Sequence, residues 1–180
     1  VEYGRHIEVQ ILSDKFGNYL HLGERECSIQ RSNQKLIEES PSPFINDSLR
    51  NELTSNALNL AKKVNYVGVG TIEFLVDKEK NFYFIEMNTR IQVEHTITEM
   101  VCMIDLIKEQ IRIHFGEELT IEQKDISMNG HAIECRINAE DPFNDFIPSP
   151  KKIESLNFAG GIGVRTVSYT HLRAHETCVH

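Results

Sequence analysis

The chain has 180 residues, 40% of them hydrophobic and 26% charged, which is ordinary globular composition and excludes a disordered, collagen-like or coiled-coil chain. With 19 Lys and Arg against 27 Asp and Glu, the formal net charge is -8, so neither nucleic acid nor membrane is an expected partner. No apolar run is long enough to span a bilayer, and Val1–His6 carries no secretory pattern. Cys27, Cys102, Cys135 and Cys178 have no C-x-x-C spacing, and the simplest expectation is reduced thiols in a cytoplasmic protein. The missing initiator Met points to a start lying upstream.

Ile7, Val9 and Ile11 alternate with His6, Glu8 and Gln10, which predicts a half-buried strand over 5–12. Asp14 to Asn18 is a turn, and Tyr19 to Leu22 alternates again as the second arm of a hairpin. Arg25 to Glu39 is polar and continues as strand until Pro41 and Pro43 end it. Leu49, Leu53, Ala57, Leu60, Ala61 and Val64 recur at helical spacing, with Asp47 or Ser48 as the cap. Gly68 and Gly70 break the chain before a strand over 71–77, a turn over 77–81 and a second strand over 82–88. Thr96 to Glu99 fits a capping box, and the helix behind it carries Met100, Ile104, Ile107 and Ile111 as far as Gly116. A last strand covers 130–137, and Pro142, Pro148 and Pro150 punctuate a loop. The fold class is α+β with a largely antiparallel sheet flanked by helices.

The chemistry concentrates in Glu86-Met87-Asn88-Thr89-Arg90-Ile91-Gln92-Val93-Glu94-His95. Period two puts Glu86 and Asn88 on one strand face, and an extended continuation adds Arg90, Gln92 and Glu94. A symmetric hairpin centred between Glu79 and Lys80 sets Glu73 opposite Glu86. Two such carboxylates repel unless a hard divalent cation such as magnesium or manganese joins them. The pattern alone equally admits a wet, solvent-facing sheet surface.

This run resembles the signature of biotin carboxylases within the ATP-grasp superfamily. So do Arg5-His6-Ile7-Glu8-Val9-Gln10, Gly23-Glu24-Arg25-Glu26-Cys27-Ser28-Ile29-Gln30-Arg31, Gly70-Thr71-Ile72-Glu73-Phe74 and Gly130-His131-Ala132-Ile133-Glu134-Cys135-Arg136 onward to Pro142. The likeness runs from about Arg5 to Arg165. It implies an ATP-grasp core over 1–142, the start of a C-terminal domain over 143–167, and a tail over 168–180 outside the family pattern.

By that resemblance, Glu73, Glu86 and Asn88 hold Mg2+ or Mn2+ on the ATP phosphates, and His6, Gln30 and Asn33 lie beside the nucleotide. Lys35, Arg90, Gln92 and the backbone of Val93 hold bicarbonate. Glu94 is the base that deprotonates it, and Arg136 stabilises the biotin enolate. The implied reaction is ATP-dependent carboxylation of carrier-bound biotin through carboxyphosphate, feeding acetyl-CoA carboxylation in fatty acid synthesis. Implied partners are a biotin carboxyl carrier protein or domain, carboxyltransferase subunits and a second copy in a homodimer. Another ATP-grasp ligase, of the carbamoyl phosphate synthetase type, and a truncated non-catalytic fragment are the alternatives.

Some positions depart from the family. Asn33 stands where the family has His, Thr96 where it has Pro and Lys151 where it has Gly. The family's N-terminal domain and Gly-rich lid are missing from these 180 residues, so this stretch by itself is expected not to turn over ATP. His171, His175, Cys178 and His180 mimic metal-ligand spacing, but a frayed or unrelated tail is the expectation there.

Overall fold

In the computed structural model, residues 4–150, 152, 155 and 157–167 are described. The expectations for the 168–180 tail and for Lys151 lie outside them. The chain divides into two compact units, 1–135 and 136–180.

The first unit is built on one six-stranded sheet. Its strands are β1 (Arg5–Ser13), β2 (Tyr19–Arg31), β3 (Gln34–Ser40), β4 (Gly68–Val76), β5 (Phe82–Asn88) and β6 (Ala132–Cys135). They lie in the order β5-β4-β1-β2-β3-β6, and every neighbouring pair is antiparallel. The helices are α1 (Asp47–Lys63), α2 (His95–Cys102) and α3 (Leu106–His114). The expected α+β architecture is therefore present. In the second unit, β7 (Glu140–Asp141) pairs antiparallel with β8 (Ile147–Pro148). Among the described residues, no helix is long and apolar enough to cross a membrane.

The alternation of β1 sorts its side chains. Ile7, Val9 and Ile11 join Ile72, Phe74 and Val76 of β4 against Leu49, Leu53, Ala57 and Ala61 of α1. A second cluster, with Leu12, Leu20, Leu22, Val69, Val101, Leu106 and Ile113, packs α2 and α3 against the opposite face of the sheet. Burying each such side chain contributes about 1.5–3 kcal/mol. The polar residues between the two clusters remain as the site.

Several boundaries differ from the sequence-based expectation. The continuous strand expected over 25–39 is a tight hairpin. Ser32 and Asn33 both take positive φ (49° and 64°), with Arg31 paired to Gln34, as a two-residue primed turn requires. The α1 cap is Asn46, whose side chain accepts from Leu49 N at 3.0 Å, one residue ahead of the expected Asp47. Gly68 and Gly70 do not break the chain but lie inside β4, where the Tyr66 ring leaves no room for a Cβ on Gly70. The expected capping box does not form, because α2 starts at His95 and places Thr96 and Glu99 within the helix. Glu99 instead accepts from Leu106 N at 2.7 Å, and Thr96 hydrogen-bonds Glu134. The single helix expected from Thr96 to Gly116 splits at Met103, which is left-handed, and restarts at the Asp105 cap.

Of the register shifts in the sheet, one in β2 and one in β5 bear most directly on which residues face the site. Between Val9 and Ile11, β2 carries one extra residue at Leu22-Gly23, and Gly23 has φ +76°. That extra residue lets Leu20 and Leu22 face the second core while Arg25 and Cys27 face the site. In β5 the extra residue is Ile85. It offsets a turn one half-residue away from the assumed centre and leaves Glu73 opposite Glu86, as the sequence predicted.

A Cβ on Gly23 would meet Met128 Sδ at 2.1 Å, whereas one on Gly17 (φ +92°) meets nothing within 4 Å. Gly17→Ala is expected to cost about 1 kcal/mol through φ strain alone, and Gly23→Ala about 2–4 kcal/mol. Urea unfolding of the two variants checks the gap, and equal losses would remove the role given to Met128.

Candidate active site

The even-numbered residues of β1, His6, Glu8 and Gln10, point away from α1. In register with them, β4 places Glu73 opposite Glu8 and Thr71 opposite Gln10. β5 then places Glu86 opposite Glu73 and Asn88 opposite Thr71. Arg25 and Cys27 arrive from β2 and Lys35 from β3. Beyond Asn88 the strand ends, and a turn rather than an extended chain delivers Gln92 and Glu94, with His95 N bonded to Gln92 O at 3.2 Å.

Lys35 Nζ lies at the centre. It donates to Glu8 Oε2 at 2.5 Å, to Glu94 Oε1 at 2.6 Å and to Glu73 Oε1 at 3.2 Å. Burial lowers the pKa of this ammonium, but Glu8 and Glu94 outweigh burial and raise it, so Lys35 stays charged. Burial likewise pushes the Glu8 carboxyl up, yet Arg25 and then Lys35 hold it down at about 2. Glu73 is also held at about 2, against burial, by His6, Lys35 and Gln92. His6 Nε2 lies 2.6 Å from Glu73 Oε2, and Gln30 Nε2 lies 2.9 Å from His6 Nδ1. Burial, then Glu8, pushes the Cys27 thiol well up, which keeps it from acting as a thiolate nucleophile.

Asn88 Nδ2 donates to Glu73 Oε1 at 2.8 Å and to Glu86 Oε1 at 3.1 Å, so it bridges the other two expected metal-holding residues. Their donor set fits a hard divalent cation. Two carboxylates from adjacent strands face each other, and the Asn amide can turn its oxygen toward the same point. Gln92 Nε2 also donates to Glu73 Oε1, at 2.8 Å. Arg90 sits exposed at the rim, its NH1 on Ile91 O at 3.2 Å, and Val93 is half-buried beside it. Asn33 occupies the tip of the β2–β3 turn, where a left-handed backbone suits Asn. Arg136 opens the second unit, directly after β6, and is half-buried.

Sequence reasoning gave no role to Glu8, Gln10, Arg25, Thr71 or Thr98. Arg25 donates from Nε to Glu8 Oε1 (2.7 Å), from NH1 to Gln10 Oε1 (2.6 Å) and Thr98 Oγ1 (2.9 Å), and from NH2 to Thr71 Oγ1 (3.1 Å) and Gln92 Oε1 (3.4 Å). The available signal was the polar half of β1. Three polar side chains facing one way on a central strand require polar partners across the sheet.

A polar, charge-lined face on an antiparallel sheet flanked by helices, with paired carboxylates beside a half-buried ammonium, agrees with the ATP-grasp core that the sequence resemblance implies. The chain belongs to the family described as carbamoyl-phosphate synthase L chain, ATP binding domain, whose model matches residues 1–122. It is 56% identical over 171 residues, 95% of the chain, to the chloroplastic biotin carboxylase of Arabidopsis thaliana. It is 55% identical over 96% of its length to a pyruvate carboxylase chain of Methanothermobacter thermautotrophicus. Among solved structures it resembles the biotin carboxylase domain dimer of Hydrogenobacter thermophilus 2-oxoglutarate carboxylase, in complex with MgADP, ADP and bicarbonate. There the TM-score is 0.89 at 53% identity, covering 92% of this chain and 36% of that one. The chain spans about a third of the length of the curated relatives it matches, 32% and 35% of these two.

Glu8→Gln is expected to cost about 3–5 kcal/mol at neutral pH by leaving Arg25 short of its buried counter-charge. Because the Glu8 pKa is lower folded than unfolded, its stabilisation is present above about pH 4.5 and is lost as pH falls through about 2. The gap between wild type and Glu8→Gln should therefore narrow across that window in metal-free buffer, and a constant gap would contradict the ion-pair account.

Proposed function

We propose that this chain supplies the ATP-grasp core of a biotin carboxylase that uses ATP, a divalent cation and bicarbonate to carboxylate biotin on a carrier protein or domain. The observation carrying this reading is the convergence of Lys35, Gln92 and Glu94 on the sheet face that also holds Glu73, Glu86 and Asn88. An anion site and a metal site that share Glu73 suit a reaction joining an oxyanion to a phosphoryl group.

In this proposal Glu73, Glu86 and Asn88 hold Mg2+ or Mn2+, which supplies neutralisation of the ATP phosphates. His6, Gln30 and the Asn33 turn lie beside the nucleotide. Lys35, Arg90, Gln92 and Val93 N hold bicarbonate, the Arg fork matching a planar oxyanion. Glu94 takes the bicarbonate proton; a bicarbonate oxygen then attacks the γ-phosphorus, and ADP leaves. Carboxyphosphate releases CO2 and phosphate. The released phosphate takes the proton of the biotin ureido nitrogen, which bonds to CO2 while Arg136 meets the negative charge on the ureido oxygen.

The final acceptor is proposed to be acetyl-CoA, which places the enzyme in fatty acid synthesis, with carboxyltransferase subunits and a second copy as partners. Pyruvate is the competing acceptor, supported by the pyruvate carboxylase relative. A reducing, cytoplasmic setting suits free Cys27 and Cys102, both buried.

Glu86→Gln removes one ligand charge and should raise the metal concentration needed for half-maximal activity by at least about tenfold. Metal titrations that overlay wild type would remove Glu86 from the site.

In the full-length enzyme, Glu94→Gln should lower both phosphate release and carboxybiotin formation by about 10²–10³-fold. Arg136→Ala should depress carboxybiotin more than bicarbonate-dependent ATP cleavage. The measured quantity is the ratio of phosphate to carboxybiotin. An unchanged ratio for Arg136→Ala would sink its assigned role, and bicarbonate-dependent turnover without any biotin requirement would favour a carbamoyl-phosphate type of ligase.

A further inference from the structure

Among the described residues, Arg25 is the largest fully buried side chain, and its five N–H···O bonds reach two residues of β1, one of β4, one of α2 and one of the β5–α2 loop. It is too deep to meet a substrate itself. Two of its acceptors nevertheless lead straight to the bicarbonate donors. Gln92 Oε1 faces Arg25 NH2, so Gln92 Nε2 must face the other way, where it donates to Glu73 at 2.8 Å. Turning that amide over would set NH2 against guanidinium. Glu8 Oε1 is taken by Arg25 Nε, which leaves Glu8 Oε2 for Lys35 Nζ at 2.5 Å. The bond to Thr98 also ties down the first turn of α2, directly after Glu94.

Resting on the function proposed above, we infer that Arg25 is the positioning residue of the bicarbonate subsite, aiming Gln92 directly and Lys35 through Glu8. Only a guanidinium does this. Its planar fork spans acceptors from three elements and a loop, whereas an ammonium gathers its donors at one point. The bonds of Arg25 go to Glu8, Gln10, Thr71, Gln92 and Thr98, and not to the metal pair Glu73–Glu86 or the His6–Gln30 contact. It reaches Glu73 only at one remove, through Gln92 and Lys35, so its effect on the anion should exceed its effect on the nucleotide.

The test uses the full-length enzyme and three measurements on Arg25→Lys, which keeps the buried charge. The KM for bicarbonate should rise about 10–100-fold. The KM for ATP and the Kd for MgADP should change less than about threefold. Thr98→Val, which removes one acceptor and no charge, runs beside it as the milder variant; it should raise the bicarbonate KM severalfold and carries the test where Arg25→Lys fails to fold. The double variant Arg25→Lys/Gln92→Ala should be less impaired for bicarbonate than the product of the two single effects, because part of the Arg25 effect runs through Gln92. Parallel rises in the ATP and bicarbonate constants, strict additivity, or a bicarbonate KM at the wild-type value in the folded variants would overturn the inference. If wild type itself shows no bicarbonate-dependent ATP cleavage, the proposed function fails instead.

Discussion

Burying charge in the middle of a β-sheet is the constraint on which this structure turns. Among the described residues, the carboxylates of Glu8, Glu73 and Glu94 surround the Lys35 ammonium, and Arg25 closes the group from below. Any one of these ions alone in that place would lose far more solvation than the fold could offset. The cations hold Glu8 and Glu73 at about 2 despite burial. A shell of Leu and Ile at the same positions would give a sheet at least as stable. The polar face therefore makes sense as a device for binding.

The surrounding fold serves that device by leaving it on rigid ground. Strands β1 and β4 present their apolar residues to α1 and their charged ones to the opposite side, so the same backbone hydrogen bonds anchor core and site. Side chains set on paired strands wander less than side chains on loops, as the proposed in-line meeting of a phosphoryl group and an oxyanion requires. Gln92 and Glu94 come from a connection instead, and both are tied back, Gln92 to Arg25 and Glu73, Glu94 to Lys35.

The charge balance bears on the cation. The carboxylates of Glu8, Glu73, Glu86 and Glu94 share this face with Arg25 and Lys35. Glu73 accepts from Lys35, Asn88 and Gln92 through a single oxygen, Oε1, while its other oxygen meets His6. In the proposed function, a divalent ion on Glu73 would replace some of these donors and leave Lys35 and Gln92 for an anion.

Much of the site was legible along the chain. Period two alone put His6, Glu8 and Gln10 on one face and paired Glu86 with Asn88, and the short turn after Asp77 brought Glu73 opposite Glu86. These relations are local, set by strand geometry and by a turn of few residues. Arg25 is different: alternation counted from Leu20 puts it on the wrong face, and the extra residue at Leu22-Gly23 puts it on the right one. A bulge changes parity without changing composition, so no hydrophobic pattern announces it. The ends of helices also differ from expectation. Asn46 rather than Asp47 caps α1 by a local bond, whereas Glu99 leaves its own helix start and accepts from Leu106 N at the head of α3, beside the Asp105 cap, where the chain turns between the two helices. Local pattern determined which residues face together; long-range packing decided which of them meet.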